Sequence, residues 1–228
     1  MTSAFFVTGT DTGAGKTTVS AALLYAARQQ GLSTAAAKPV ASGCEQTPEG
    51  LRNSDALALL QQCSVPLSYQ AINPYAFAPP IAPHLAAAEA GIALSAATLA
   101  DAVQNILNKG ADLTMVEGAG GWRVPINRQE TLADVARALN LPVILVVGIR
   151  LGCINHALLT LEAIQHDGLV CAGWVANGLE PDTAKLNENL LSLKQRLPAP
   201  CLGQIPYLPS PTAQAASSHL GMLSLKSL

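Results

Sequence analysis

Charge is scarce in this sequence. Only 12% of its 228 residues are Asp, Glu, Lys or Arg, and 13 basic against 15 acidic residues leave a net charge of −2. Nothing in that balance recruits nucleic acid or an anionic membrane surface. Paired cysteines are lacking too. Cys44, Cys63, Cys153, Cys171 and Cys201 are odd in number and widely spaced, with no C-x-x-C and no metal-ligand pattern. Free thiols in a reducing compartment are the simplest account. The four histidines (His84, His156, His166, His219) are scattered without metal spacing, and none is assigned a role. No run approaches the roughly 20 apolar residues that span a bilayer. The N-terminus has no basic segment followed by a long apolar one, so no signal peptide is expected. Repeats and linkers are missing as well. The expectation is a soluble, cytoplasmic protein.

Half of the residues are hydrophobic, which suits a sheet buried on both faces whose strands read as apolar runs. The length suits one α/β domain over 1–228. The most informative stretch is Phe5-Phe6-Val7-Thr8-Gly9-Thr10-Asp11-Thr12-Gly13-Ala14-Gly15-Lys16-Thr17-Thr18. An apolar run ends in a glycine-rich turn closed by Gly-Lys-Thr, and a helical pattern (Val19, Ala22, Leu23, Ala26) follows at once. This is the form of a phosphate-binding loop between strand and helix. Small residues let backbone N–H groups curl around phosphate oxygens, and the helix start adds unpaired donors. Lys16 can reach the outer phosphates, and the Thr17 hydroxyl can bind Mg²⁺. The loop is one residue longer than the usual motif, because Thr10 stands at the first-glycine position and Gly9 comes one residue early.

The chain then alternates. A strand over Phe5–Thr8 leads to a helix ending near Gln30, where Gly31 stops it. A second strand is predicted from Thr34 to Val40; the Lys38-Pro39 step puts Lys38 near its C-terminal end. Residues from Ser42 to Asn53 read as a loop. A helix from Ser54-Asp55 presents Leu57, Leu60 and Val65, ended by Pro66. Leu67 to Pro83, with prolines at 74, 79, 80 and 83, reads as an irregular cover over one face. Helices are expected over Leu94–Asn108, Leu132–Leu139, Asn155–His166 and Asp182–Arg196, and strands over Leu113–Val116, Pro142–Gly148, Ala172–Ala176 and Leu202–Pro206. Ser210 to Leu228 has little pattern. Alternating strands and helices imply a P-loop NTPase-like parallel β-sheet with helices on both faces. The loops leaving the C-terminal strand ends then gather at one edge, where such sheets bind ligands. Gly13–Thr18, Lys38, Asp55, Glu117 and Asn177 all fall there.

Each of these groups also has a plainer reading. Glu117, after Leu-Thr-Met-Val, is a candidate metal-linked carboxylate or a solvated loop acid; Gly118-Ala119-Gly120-Gly121 behind it favours close approach of a ligand to backbone. Asp55 is a second candidate carboxylate, or an ordinary first-turn acid after Asn53-Ser54. Lys38 stabilises an anionic intermediate or a transferring phosphoryl group, or is an exposed lysine. Ser42 carries a weaker signal. Gly152-Cys153-Ile154-Asn155 opens a helix whose free N–H groups favour a carboxylate, against a helix start with no ligand. Cys153 itself reads as a small core or site-lining residue.

Taken together, these stretches resemble the dethiobiotin synthetase family. The likeness is carried by Val7-Thr-Gly-Thr-Asp-Thr12 with Gly15-Lys-Thr17, Lys38-Pro-Val-Ala-Ser-Gly43, Leu51-Arg-Asn-Ser-Asp-Ala-Leu57, Val116-Glu-Gly-Ala-Gly-Gly-Trp122, Leu151-Gly-Cys-Ile-Asn-His156, Gly173-Trp-Val-Ala-Asn177 and Ile205-Pro206. It runs from about Phe5 to Leu208 and includes the lengthened loop. The resemblance implies a ligase of biotin biosynthesis. Its substrates would be 7,8-diaminononanoate, CO₂ (as bicarbonate) and ATP with Mg²⁺, joined through a carbamate and a carbamic-phosphoric anhydride. It implies that Gly13, Ala14, Gly15, Lys16, Thr17 and Thr18 hold the phosphates, with Thr17, Asp55 and Glu117 on Mg²⁺. Lys16 and Lys38 would be catalytic. Thr12, Ser42 and the Gly118, Ala119, Gly120 and Gly121 backbone would line the diamine site. Asn177, Gly178, Pro206, Tyr207 and Leu208 would hold the nucleotide base. Cys153, Ile154 and Asn155 of a second subunit would meet the substrate carboxylate, so a homodimer is implied.

The chain departs from the family at three places. Gly13-Ala14 stands where glutamate and valine are common, Gly178 where some relatives have aspartate, and Asn189 near a tyrosine that assists the substrate carboxylate. Rival readings are another ATP-dependent amidoligase of the superfamily, a nucleotide-switched partner-binding ATPase, and a pseudoenzyme. The switch class usually carries an extra early lysine in the loop, which Thr10, Asp11 and Thr12 do not supply. The presence of Lys16, Thr17, Lys38 and Glu117 counts against the pseudoenzyme.

Overall fold

The structure is a computed structural model and describes residues 2–221. In chain order the first elements are β1 (Ser3–Gly9), α1 (Lys16–Gln29), β2 (Thr34–Ala37), β3 (Val40–Ala41), β4 (Glu45–Thr47), β5 (Gly50–Arg52), α2 (Ser54–Leu60), α3 (Tyr69–Ile72), β6 (Tyr75–Ala76) and α4 (Pro83–Glu89). Then come α5 (Ala96–Leu107), β7 (Leu113–Glu117), α6 (Leu132–Leu139), β8 (Val143–Ile149), α7 (Cys153–His166), β9 (Cys171–Gly178), α8 (Leu186–Arg196), β10 (Cys201–Ile205) and α9 (Ala213–Ser217).

Six strands form one sheet in the order β10-β9-β8-β1-β7-β2, with every neighbouring pair parallel. The expected parallel sheet with helices on both faces is therefore present. Alternation along β1 sends Phe5 and Val7 to one face, with α1 and α9, and Phe6 to the other, with α5 and α6. A third apolar cluster joins Leu145, Val147 and Trp174 to α7 and α8. Burying these faces supplies the main drive for folding. It also sets the order that brings the ends of β1, β7 and β2 side by side.

Several expected boundaries move. The second strand does not reach Val40. It leaves the sheet at Lys38-Pro39, and Val40-Ala41 pairs instead with Tyr75-Ala76 in a separate two-stranded sheet, because proline offers no N–H to a continuing ladder. The expected loop 42–53 contains the β4–β5 hairpin, closed through Pro48-Glu49. The helix at Ser54 stops at Leu60 and buries Ala56 and Leu59, while Leu57 faces outward. The stretch after Leu67 is not irregular throughout: it holds α3, β6 and the start of α4. Pro83 opens α4 at a position where a missing N–H costs nothing. The helix expected from Asp182 starts at Leu186. Within the tail, α9 forms with Thr212 as its N-cap, and Leu220 bridges to Gly203; 222–228 lie outside the described residues.

Candidate active site

The turn between β1 and α1 has the geometry of an anion cradle. Gly15 precedes α1 with φ 93°, and no side chain caps that helix start, so its first N–H groups stay open. A Cβ on Gly15 would also sit 2.1 Å from Asn177 Nδ2; glycine is required here by conformation and by space. Asn177 comes from the end of β9 and donates from Nδ2 to the Ala14 carbonyl at 3.1 Å. Lys16 folds back over the loop and donates to Gly120 O at 2.6 Å and Asp11 O at 3.3 Å. Asp11 in turn pairs with Arg150, at the end of β8.

Beside the cradle lies a compact charged cluster. Lys38 Nζ stands 2.6 Å from Glu117 Oε1 and 3.1 Å from Asp55 Oδ2. The Thr17 hydroxyl donates to the same Glu117 oxygen at 2.8 Å. Glu117 is fully buried and Lys38 is 3% exposed, so the exposed-lysine and solvated-acid readings do not hold. The two groups need one another, because an unpaired charge at this depth is costly. Burial works against the Lys38 ammonium, but Glu117 and Asp55 outweigh it and hold its pKa above the ordinary lysine value. Burial also opposes ionisation of Asp55, yet Lys38, Thr17 and Lys16 together keep its pKa below the usual carboxylate value. Lys16 has no such close partner. Burial, and then the Lys38 charge, lower its pKa to about 8 against the pull of Glu117, Asp55 and Asp11.

These groups open into a cleft of about 700 Å³. Thr12, Gly13, Gly15, Lys16, Thr17, Thr18, Lys38, Ser42, Asp55, Ala119 and Gly120 line it. Gly118 and Gly121 are not among the lining residues; the Gly118 N–H donates to Val7 O, and a Cβ there would meet the Phe6 ring at 3.2 Å. Gly178, Pro206 and Tyr207 border a separate, smaller cavity of about 260 Å³ with Pro181 and Leu186. Leu208 packs on the core beneath α1. Cys153, Ile154 and Asn155 are not brought to the cleft of their own chain. Cys153 is buried with Leu145 and Val147, so its core reading holds, while Asn155 is exposed beside the fully exposed Leu151. Asn189 Nδ2 donates to Ala184 O, within the approach to α8.

Part of the wall is not legible in the sequence. Pro80 to Pro83 and Arg123 to Pro125 form its apolar side, with the Arg123 guanidinium held by Asp167. The proline cluster was the available signal, but it read only as a surface cover. Asn53 also lines the cleft.

The oxygen set suits Mg²⁺. Glu117 Oε2 is buried with no hydrogen-bond partner among the described residues, the Thr17 hydroxyl and Asp55 belong to the same cluster, and all are hard oxygen donors. Among the described residues no group of three or more His, Cys, Asp or Glu gathers around one point. A magnesium ion held here would therefore need phosphate and water oxygens to complete its shell, which is its usual mode of binding.

Known proteins are similar to this chain at two levels. A family model described as an AAA domain matches residues 3–215. By structure alone, the signal recognition particle receptor FtsY of Elizabethkingia anophelis superposes with a TM-score of 0.56 at 15% identity, over 100% of this chain and 65% of that one. The 54 kDa signal recognition particle protein of Aeropyrum pernix K1 gives 0.55 at 16%, over 99% and 48%. Those likenesses establish the fold. By sequence, the ATP-dependent dethiobiotin synthetase BioD of Pseudomonas aeruginosa strain UCBPP-PA14 is 65% identical over 97% of both chains. Its counterpart in Cellvibrio japonicus strain Ueda107 is 59% identical over the same shares. At this identity over nearly the whole length, with the phosphate loop and the lysine–carboxylate cluster in place, the chain belongs to the ATP-dependent dethiobiotin synthetase family.

Proposed function

We propose that this cleft carries out the family's reaction, the ATP-dependent ring closure of 7,8-diaminononanoate with CO₂ to dethiobiotin. One observation carries the reading: an open phosphate cradle, two buried lysines and the Asp55 carboxylate line a single cleft with an apolar wall, and the buried Glu117 holds Lys38 there. One substrate amine attacks the carbon of CO₂ and loses a proton, forming a carbamate. A carbamate oxygen then attacks the γ-phosphorus of ATP, and ADP leaves. The second amine attacks the carbonyl carbon of the resulting mixed anhydride and expels phosphate, closing the cyclic urea.

The chain's residues serve these steps by position and charge. The N–H groups of Gly13 to Thr18 hold the phosphates. Lys16, freed from its carbonyl partners by an incoming phosphate, spans the outer oxygens. Lys38, kept protonated by its carboxylates, faces the developing carbamate and anhydride charge. Thr12, Ser42 and the Ala119-Gly120 backbone hold the amines. Thr17, Asp55 and Glu117 would hold Mg²⁺, which when bound with ATP offsets charge on the phosphate oxygens. Asn177, Gly178, Pro206 and Tyr207 take the base. The start of α7, with Cys153 to Asn155 following the bare Leu151, would meet the substrate carboxylate of a second copy in a homodimer. No helix among the described residues is long and apolar enough to cross a membrane, in keeping with work in the cytoplasm.

The test is phosphate release by the purified protein with MgATP and bicarbonate, with and without the diamine. Release that requires the diamine, with dethiobiotin formed in step, supports the reading. Release indifferent to the diamine would retain an ATP site and reject the substrate.

A further inference from the structure

Lys38 and Asp55 meet at 3.1 Å in the charged cluster but come from different segments, one leaving β2 and the other opening α2. Between them the chain passes through the β4–β5 hairpin, which pairs only with itself and is partly exposed. Such a hairpin is a poor ruler. A buried polar chain runs behind the cleft instead. Asn73 Nδ2 donates to the Lys38 carbonyl at 2.7 Å, and Lys38 N donates to Ile72 O at 2.8 Å. The Tyr69 hydroxyl donates to Asn73 Oδ1 at 2.9 Å and accepts from Asn53 N at 2.7 Å. Asn53 Oδ1 then caps α2 through Ala56 N at 3.2 Å, and Asp55 sits in that first turn. Asn53, Tyr69 and Asn73 are all buried. The Arg52 guanidinium lies 4.3 Å over the Tyr69 ring and fixes its plane.

The Tyr69 hydroxyl both donates and accepts, so the chain from the Lys38 carbonyl to the α2 cap is continuous. A connected network of this kind is stiffer than its separate bonds. Neither Tyr69 nor Asn73 lines the cleft. We propose that Tyr69 and Asn73 are positioning residues, which set the separation of Lys38 and Asp55 and through it the geometry of the charged cluster. This rests on the proposed function only in assigning work to that cluster.

Tyr69→Phe keeps the ring and its cation–π contact, and removes the one hydroxyl. Groups that orient a metal or catalytic side chain typically govern about 10–100-fold of affinity or activity. We therefore expect kcat to fall about tenfold, the Mg²⁺ concentration that half-saturates ATP binding to rise, and KM for the diamine to change little. The decisive arm is a double-mutant cycle. In an Asp55→Asn background, Tyr69→Phe should cost less than about twofold further, because the group it positions has already lost its charge. Asn73→Asp, which keeps the acceptor for Tyr69 and loses the donor to Lys38, should repeat the pattern if Tyr69→Phe folds poorly. A tenfold loss that persists in the Asp55→Asn background would overturn the proposal. So would a variant whose Tm falls while kcat and Mg²⁺ dependence stay at wild-type values. The Mg²⁺-dependent ATP binding arm does not need the diamine, so its outcome is read even if the wild-type protein fails to make dethiobiotin.

Discussion

The two ends of the site are built on different principles. Where β1, β7 and β2 end, Thr17, Lys38, Asp55 and Glu117 close on one another through contacts of 2.6 to 3.1 Å, with Glu117 fully buried. Where β9 and β10 end, Gly178, Pro206 and Tyr207 surround their cavity with backbone and ring surface. A Cβ on Gly178 would stand 2.6 Å from Tyr207 N. One end is held by buried charges that tolerate few arrangements, the other by how closely two strands' exits approach. Substitutions at the first end should therefore change chemistry or stability sharply, and those at the second should change fit.

The largest effect is expected at Lys16. Among the described residues its ammonium holds two carbonyl oxygens, so Lys16→Ala should leave the fold intact and lower turnover on the order of 10³-fold. Equal activity would mean the cradle is not where phosphate is transferred. Lys38→Ala should behave otherwise and destabilise the fold itself by about 3–5 kcal/mol, because Glu117 loses its buried counter-charge. Urea unfolding measures this, and an unchanged midpoint would show that water or another group can satisfy Glu117. The two lysines differ again in pH. With its pKa lowered to about 8, Lys16 is charged below that pH and neutral above it. ATP affinity should thus fall as pH rises through 8, by up to about tenfold at pH 9, measured by calorimetry. Lys38, shifted upward, stays charged over this range and adds nothing to the fall. At the other end, Gly178→Ala should raise the ATP concentration for half-saturation a few-fold, less than the roughly tenfold that corresponds to 1.4 kcal/mol. Turnover at saturating ATP should be unchanged. No change in either would remove the smaller cavity from the nucleotide site.

The same contrast governed how much could be read from the sequence. The loop from Gly9 to Thr18 announces itself because its residues are neighbours and each has a local reason: small for close approach, Lys and Thr for phosphate and metal. Lys38 was legible at the end of a strand because Pro39 blocks the ladder. Its burial was not, since nothing nearby in sequence covers it. The proline cluster at 79, 80 and 83 concealed α4, because one of those prolines opens a helix and so reads as a breaker and a starter alike. The hairpin at 45–52 was hidden by exposed polar residues that carry no apolar alternation.

By itself, then, the sequence determined the succession of strands and helices, the phosphate loop, and the family through motifs spread along the chain. Each of these rests on residues a few positions apart, where periodicity and turn chemistry act. Only the tertiary structure decided that Glu117 spends one oxygen on Thr17 and Lys38 and leaves the other free. It alone tied Tyr69 and Asn73 to the backs of Lys38 and Asp55, and made Pro80 to Pro83 a wall of the cleft. Those contacts depend on the strand order β1-β7-β2 and on the burial that enforces it, and they join residues far apart in the chain whose separate surroundings carry no mark of one another.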